Sequence, residues 1–133
     1  MRIVQERIEL AAVEIRADRG LMRVALMNVL HNALKFSPRD STITITFLQP
    51  SPSWLRIRIE DGGPGIPADE HVRVFDRFFT SSDRSTADIS GVGLGLSIAK
   101  LVVERAGGRI AFDEGSHQGA RCLIDLPNVS SHP

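Results

Sequence analysis

Two glycine-dense stretches are the most informative part of this sequence. The first runs from Asp61 to Gly65 (DGGPG), and the second runs from Gly91 to Leu96 (GVGLGL). Because glycine has no Cβ, its backbone turns sharply and its N–H groups can approach a ligand closely. The second stretch leads into an apolar helical pattern over 94–103, which predicts free amides and a helix N-terminus around one point, where phosphate is stabilised. Each stretch alone is compatible with an ordinary surface turn, whereas together they favour nucleotide binding.

A polar triad lies upstream of these glycines. Asn28, Asn32 and Lys35 are spaced by four and three residues, which places them on one face of a helix. Amide oxygens suit Mg²⁺, and an ammonium group suits phosphate charge, so this face is a candidate for a metal-bound triphosphate. The alternative is a solvated polar stripe, but the apolar neighbours of Asn32 make simple exposure of this face less favourable. Phe36 comes next and suits either an adenine ring or the core.

Two further features belong to the same hypothesis. Asp61 ends a predicted strand, where a fixed carboxylate can accept a hydrogen bond from the exocyclic amine of adenine. The alternative is an aspartate in a turn, where this residue type is common. An apolar cluster also stands inside a polar segment, and it is either core or the anchor of a movable lid; its members are Val74, Phe75, Phe78 and Phe79.

The elements that must hold these residues are predicted from apolar periodicity and from turn residues. Asp18 is a suitable N-cap for a helix over 19–36 that Pro38 ends. Its apolar face is predicted to contain Leu21, Val24, Ala25, Val29, Ala33 and Phe36. A short amphipathic helix is predicted over 72–79, followed by a polar segment over 80–90. A last helix over 94–106 is stopped by Gly107 and Gly108.

Strands are predicted on both sides of these helices. Alternating β-branched residues predict two paired strands over 42–48 and 54–60, with a turn at Pro50 and Pro52. A closing hairpin is predicted over 109–114 and 120–126, and one or two strands over 2–15, joined near residues 10–12. Runs of strands with few helices indicate an α+β fold with an antiparallel-rich sheet covered on one face by helices.

Composition limits the function classes. The chain has 133 residues, of which 42% are apolar, as in an ordinary single globular domain. Its 16 basic and 16 acidic residues cancel, so the basic excess of a nucleic-acid-binding protein is missing. Because the sequence has a single cysteine, Cys122, an internal disulfide and a cysteine-based zinc site are excluded. The strand-like sequence around Cys122 favours a buried thiol. Without a long apolar run or a secretory signal pattern, a cytoplasmic domain with no membrane contact is expected.

Four segments, in order and spacing, resemble the motif boxes of the sensor histidine kinases. Residues 28–36 resemble the N box, and residues 61–66 resemble the first glycine box. Residues 75–79 (FDRFF) resemble the F box, and residues 91–96 resemble the second glycine box. The F box discriminates most, because the gyrase, chaperone and mismatch-repair ATPases of the same superfamily are not expected to have it.

The resemblance implies a fold and its cofactors. It implies an α+β, two-layer α/β sandwich whose mixed, mostly antiparallel sheet is covered on one face by helices, with a mobile ATP lid. Residues 1–127 would form the ATP-binding catalytic domain, and residues 128–133 are expected to be a disordered tail. The implied ligands are ATP and Mg²⁺.

The resemblance also implies a role for each matching residue. Asn32 would coordinate Mg²⁺, with Asn28 on the phosphate side and Lys35 at the phosphates. Asp61 would read the adenine amine, and Phe36 would border the ring. The remaining implied nucleotide-binding positions give close approach, hinge the lid or dock it; they are Gly63, Gly65, Ile66, Phe75, Arg77, Phe78, Gly91, Gly93, Leu94, Gly95 and Leu96.

Two positions depart from the family pattern. Many kinases carry an arginine where this chain has Thr80, and Arg84 is the expected substitute for its phosphate contact. The family often has threonine where this chain has Ala120, so a hydroxyl that would support the adenine-binding aspartate is missing, and water is expected to replace it.

The implied activity is transfer of the γ-phosphoryl group of Mg-ATP to a histidine on a separate helical dimerisation domain, and through it to a response regulator. Asn28 stands where a hydrolytic relative would need a general base, which argues against an efficient ATPase. None of the chain's histidines has the expected phosphoacceptor setting, so the fragment is not expected to phosphorylate itself. The resemblance assigns dimerisation to the separate helical domain, so the fragment is expected to be monomeric. Two alternatives stay open: a catalytically degenerate nucleotide- or protein-binding module, and an anti-sigma-factor-type serine kinase.

Overall fold

Five strands form one mixed sheet in the computed structural model, which describes residues 2–7, 12–77, 95–113 and 119–130. The strands are β1 (Arg2–Arg7), β2 (Thr42–Ser51), β3 (Trp54–Glu60), β4 (Arg109–Phe112) and β5 (Arg121–Pro127). Their order is β1-β2-β3-β5-β4, with β1 parallel to β2 and every other pair antiparallel. The predicted α+β fold with a mixed, mostly antiparallel sheet is therefore confirmed.

Two α-helices, α1 (Arg19–Phe36) and α2 (Gly95–Arg105), pack on each other and on the sheet. The apolar face of the sheet meets them through alternating side chains, of which Ile43, Ile57, Ile59 and Ile124 are buried. The opposite face of the sheet carries ion pairs, such as Arg56 with Asp125 (Nε to Oδ1, 2.7 Å). Both helices thus cover one face, and the core lies between the two layers.

Helix α1 has the predicted bounds, and its N-cap is the predicted one. The Oδ1 atom of Asp18 accepts a hydrogen bond from the N–H of Leu21 at 2.9 Å. Ala25, Val29 and Ala33 are buried, whereas Leu21 and Val24, predicted on the same apolar face, are 47% and 44% exposed. The centre of the buried face lies further round the helix, where Met22, Leu26, Leu30 and Leu34 pack against the core.

The β2–β3 hairpin is confirmed, although its turn is shorter than predicted. Strand β2 continues through Pro50 to Ser51, and its register against β3 shifts between Leu48 and Ser51. A proline lacks the N–H that a regular ladder needs, and an irregularity of this kind lets the strand continue past it.

Of the one or two strands predicted over 2–15, the described residues contain one, β1. Residues 12–17 form no strand, and the side chains of Val13 and Ile15 pack against the core. The predicted α-helix over 72–79 is wrong: as far as Arg77, this segment contains the 3₁₀ turn Arg73–Phe75, which follows another 3₁₀ turn, Ala68–Glu70. Val74 and Phe75 in the Arg73–Phe75 turn are both buried.

The stop after α2 is confirmed as a left-handed glycine cap. Gly107 has φ 82°, and its N–H donates to the carbonyl oxygen of Glu104 at 2.9 Å. The N–H of Gly108 donates to the carbonyl oxygen of Val103, also at 2.9 Å. This pair of bonds is the Schellman motif, which satisfies the last carbonyls of the helix and turns the chain into β4.

The described chain continues past Pro127 to Ser130. The N–H of Asn128 donates to the carbonyl oxygen of Ser53 at 2.8 Å. Its side-chain amide donates to the carbonyl oxygens of Ala12 and Pro52 and accepts from the N–H of Glu14. Asn128 thereby joins the start of the chain to the β2–β3 turn. Among the described residues, no helix is long and apolar enough to cross a membrane.

Candidate functional site

Asp61 directly follows β3, and its carboxylate is buried and held by backbone amides. Its Oδ1 atom accepts hydrogen bonds from the N–H of Gly63 at 2.9 Å and from the N–H of Ala120 at 3.1 Å. Its own N–H donates to the carbonyl oxygen of Ala120 at 2.9 Å. These bonds restrict the side chain, so the carboxylate has one defined position at the end of the strand.

The loop after Asp61 needs glycine for both conformation and space. Gly65 is buried and has φ 82°, a left-handed backbone conformation that residues other than glycine rarely adopt. A Cβ placed on Gly65 would lie 3.3 Å from the carbonyl oxygen of Gly119. Ile66 then packs against the core, and its carbonyl oxygen is 2.8 Å from Nε2 of His71, which acts as the donor. The loop is thus held on both sides.

The predicted polar face of α1 lies at the edge of its buried face. Asn28, Asn32 and Lys35 are all half-buried, and α1 lies against β3, the strand that Asp61 follows. Gly95 begins α2 beside the same face: a Cβ placed on it would lie 3.7 Å from Cβ of Asn28. The structure therefore brings the first residue of α2, and with it the end of the second glycine stretch, against the polar face of α1.

Phe75 occupies the core. Its ring stacks on the ring of Phe112 in β4, with centroids 5.6 Å apart. Nζ of Lys100 in α2 lies 5.9 Å from the centroid of the Phe75 ring, a cation–π contact. Arg77 follows on the surface, and Leu96 packs against the core. The first aromatic residue of the predicted F box therefore fixes this segment to α2 and β4.

Several predicted site residues lie outside the described residues, and so does the predicted lid over 80–90. They are Phe78, Arg84, Gly91, Gly93 and Leu94, and the departure at Thr80 falls in the same segment. The backbone of Phe36 ends α1, but its side chain is not among those described.

The described residues contain no cluster of three or more histidine, cysteine or acidic side chains that could hold a metal ion. On the polar face of α1, the candidate oxygen donors are the side-chain amides of Asn28 and Asn32. A hard cation such as Mg²⁺ accepts amide oxygens but takes most of its ligands from water and phosphate. These residues therefore fit a metal that arrives with a nucleotide and do not fit a resident metal.

The sequence patterns missed the backbone partners of Asp61. Ala120 holds both the main chain and the carboxylate of Asp61, and Gly119 before it has φ 78°. The signal for this contact was a glycine directly before a strand.

The comparisons with known proteins agree with one another. The family described as histidine kinase-, DNA gyrase B- and HSP90-like ATPase matches residues 17–130. The adaptive-response sensory kinase SasA of Synechococcus sp. (strain CC9311) is 38% identical over 115 residues, which is 86% of this chain and 30% of the relative. The sensor protein IrlS of Burkholderia pseudomallei (strain K96243) is 39% identical over 114 residues, 86% of this chain and 24% of the relative. The chain thus spans less than a third of the length of these relatives.

Solved structures show the same similarity. The mycobacterial sensor histidine kinase MprB superposes with a TM-score of 0.80 and 31% identity, over 96% of this chain and 81% of its own. Full-length ShkA in complex with AMPPNP superposes with a TM-score of 0.80 and 26% identity, over 99% of this chain and 26% of its own.

Proposed function

The chain belongs to the family of histidine kinase-, DNA gyrase B- and HSP90-like ATPases, and we propose that it binds Mg-ATP and donates the γ-phosphoryl group to a histidine on a separate helical domain. Its relatives are sensor histidine kinases, so it is a histidine kinase-type catalytic domain. The observation that carries the proposal is the buried Asp61 carboxylate, which the amides of Gly63 and Ala120 hold beside a glycine loop.

Adenine recognition is assigned to Asp61. A carboxylate accepts hydrogen bonds only, so it matches the exocyclic amine of adenine and repels the carbonyl oxygen that guanine presents at the same position. Because the carboxylate is buried, leaving it without a matching donor from the base costs more than it would in water. Gly63 and Gly65 keep the adjoining backbone free of side chains, so that a planar base can approach closely.

The polar face of α1 and the start of α2 are assigned to the triphosphate. Asn32 would supply an amide oxygen to Mg²⁺, Asn28 would lie on the phosphate side, and Lys35 would neutralise phosphate charge. Gly95 begins α2 against Asn28, so amides at this helix N-terminus point towards the same region. Full-length ShkA, which shares this fold, was solved in complex with AMPPNP, and this supports a nucleotide triphosphate as the ligand.

The chemistry that remains for the protein is positioning and charge stabilisation. A nitrogen of the acceptor histidine attacks the γ-phosphorus, the bond from this phosphorus to the β–γ bridging oxygen breaks, and ADP leaves with the electron pair. Asn28 cannot take a proton from water, which disfavours hydrolysis as a competing reaction.

The helical partner domain is proposed to dock on α2. Ile98 and Leu101 lie on the outer face of this helix, and Leu101 is 56% exposed. Apolar side chains at this spacing match the apolar stripe of another helix. A partner bound there would reach the polar face of α1 beside Gly95.

Calorimetry with AMPPNP tests nucleotide binding. We expect the chain to bind AMPPNP in the presence of Mg²⁺ and to bind it more weakly without the metal. Asp61→Asn should weaken binding about tenfold or more, because an acceptor becomes a donor opposite the adenine amine. Asn32→Ala should remove most of the gain that Mg²⁺ provides.

The matched control is Asp40→Asn, which makes the same chemical change at an exposed turn and should leave the affinity unchanged. If the unmodified chain gives no heat of binding with Mg²⁺ and AMPPNP, the proposed function is wrong, and a protein-binding module becomes the better description.

A further inference from the structure

We propose that Gly119 is a positioning residue that sets the place of the Asp61 carboxylate and thereby the preference for adenine. The inference rests on the proposed function, because it concerns how the base-reading group is held. Gly119 lies outside the four motif boxes and reaches the site only through the pairing of β3 with β5.

The contact between Gly119 and Asp61 leaves no room for a side chain. A Cβ placed on Gly119 would lie 2.1 Å from the carbonyl oxygen of Asp61 and 3.0 Å from its Oδ1 atom. The first distance is far below van der Waals contact, and the atom in the way is backbone, which cannot rotate aside. The φ of 78° adds a conformation that alanine adopts only with strain.

This close approach is what allows Ala120 to hold Asp61 at two points. The N–H of Ala120 donates to Oδ1 of Asp61, and the carbonyl oxygen of Ala120 accepts from the N–H of Asp61. Residues 119 and 120 therefore fix the main chain and the carboxylate together. A larger residue at 119 must move one strand end away from the other, which lengthens both bonds.

A second left-handed glycine packs against the first. A Cβ placed on Gly65 would lie 3.3 Å from the carbonyl oxygen of Gly119. The glycine loop, residue 119 and Asp61 thus form one contact layer, in which Gly119 is the middle member. A displacement at Gly119 moves the carboxylate relative to the loop that would face the base.

The consequence is specific to the base. The triphosphate contacts proposed for α1 and α2 do not involve Gly119, so they should survive its substitution. Adenine recognition needs the carboxylate opposite the exocyclic amine, and a shifted or mobile carboxylate loses that match. Rejection of guanine weakens for the same reason, since the repulsion also depends on the carboxylate position.

The test compares Gly119→Ala with Gly107→Ala. Gly107 also has a left-handed φ, 82°, but its added Cβ would meet only Cγ of Pro127 at 3.4 Å, at the end of α2. Affinities for AMPPNP and for its guanine counterpart GMPPNP are measured by calorimetry with Mg²⁺, and the folded state is checked by thermal unfolding. Gly119→Ala should weaken AMPPNP binding about tenfold while GMPPNP binding stays equal or strengthens, so the adenine preference falls. Gly107→Ala should lower stability and leave the preference unchanged.

The outcomes separate the two proposals. If the unmodified chain binds no AMPPNP, the proposed function fails, and the role of Gly119 fails with it. If the unmodified chain binds and Gly119→Ala keeps its adenine preference, only the positioning role is wrong. If Gly119→Ala does not fold, Gly65→Ala replaces it, because its added Cβ would press on the carbonyl oxygen of Gly119 at 3.3 Å. An unchanged preference in that variant also overturns the inference.

Discussion

Cys122 is a core residue whose thiol is expected to be unreactive. It pairs with Ile59 across β3 and β5, and its side chain is buried. Burial raises the pKa of the Cys122 thiol well above its ordinary value, and the negative charge of Asp61 raises it further. The thiol is therefore expected to stay protonated in the folded chain, as the strand pattern around Cys122 predicted for a core residue.

This shift predicts a loss of stability at alkaline pH. The thiol has a pKa of about 8.5 in the unfolded chain and a higher one in the folded chain, so above that pH the unfolded state releases a proton that the folded state keeps. The free energy of unfolding should then fall by up to about 1.4 kcal/mol per pH unit. Urea denaturation between pH 7.5 and 10 measures it, and the absence of tyrosine keeps another titrating side chain out of this range. Cys122→Ala should remove this part of the pH dependence; an equal slope in both proteins would contradict the assignment.

At the level of elements, the residues that begin and end the helices were predictable from the sequence. The distant elements that pack against each segment were not. Asp18 and Gly107 act through bonds within a few residues, so local sequence is enough to identify them. The segment over 72–77 forms a 3₁₀ turn, Arg73–Phe75, in which Val74 and Phe75 are buried. Which neighbours are available to bury them depends on α2 and β4, which are far away in sequence.

The N-cap of α1 can be tested separately. Asp18→Ala should lower the free energy of unfolding by about 1 kcal/mol, because the N–H of Leu21 loses its acceptor. Asp18→Asn keeps a capping oxygen at the same place and should cost much less. Chemical denaturation of the three proteins measures the difference, and equal losses for both variants would mean that the negative charge, rather than the cap bond, stabilises the helix.

For the whole molecule, the proposed reaction needs a second domain. The chain spans 30% or less of SasA and IrlS, so the proposed acceptor histidine and the signal input would belong to other parts of such a protein. The outer face of α2, with Ile98 and Leu101, is the surface proposed for the helical partner.

Phosphotransfer in trans tests that arrangement. With labelled Mg-ATP alone, the chain should acquire no stable phosphohistidine. With a separately expressed helical hairpin of a sensor kinase, whose histidine precedes an acidic residue, label should appear on that hairpin. Leu101→Glu should reduce this transfer about tenfold or more, because docking would bury a charge, without changing AMPPNP affinity. The matched control is Val129→Glu, which places the same charge on an exposed apolar residue elsewhere. Label on the chain itself, or equal transfer by both variants, would contradict the proposal.

The sequence by itself determined the α+β class, the bounds of α1 and β3, both helix stops and the four motif boxes that identify the family. These features depend on residues close together in the chain, where periodicity, capping and turn preference act. Only the tertiary structure decided that Leu21 and Val24 are exposed, that Asn128 joins two distant segments, and that Gly119 and Ala120 hold Asp61. The physical reason is that the pairing of β3 with β5 brings together residues almost sixty positions apart, and no local pattern records that contact.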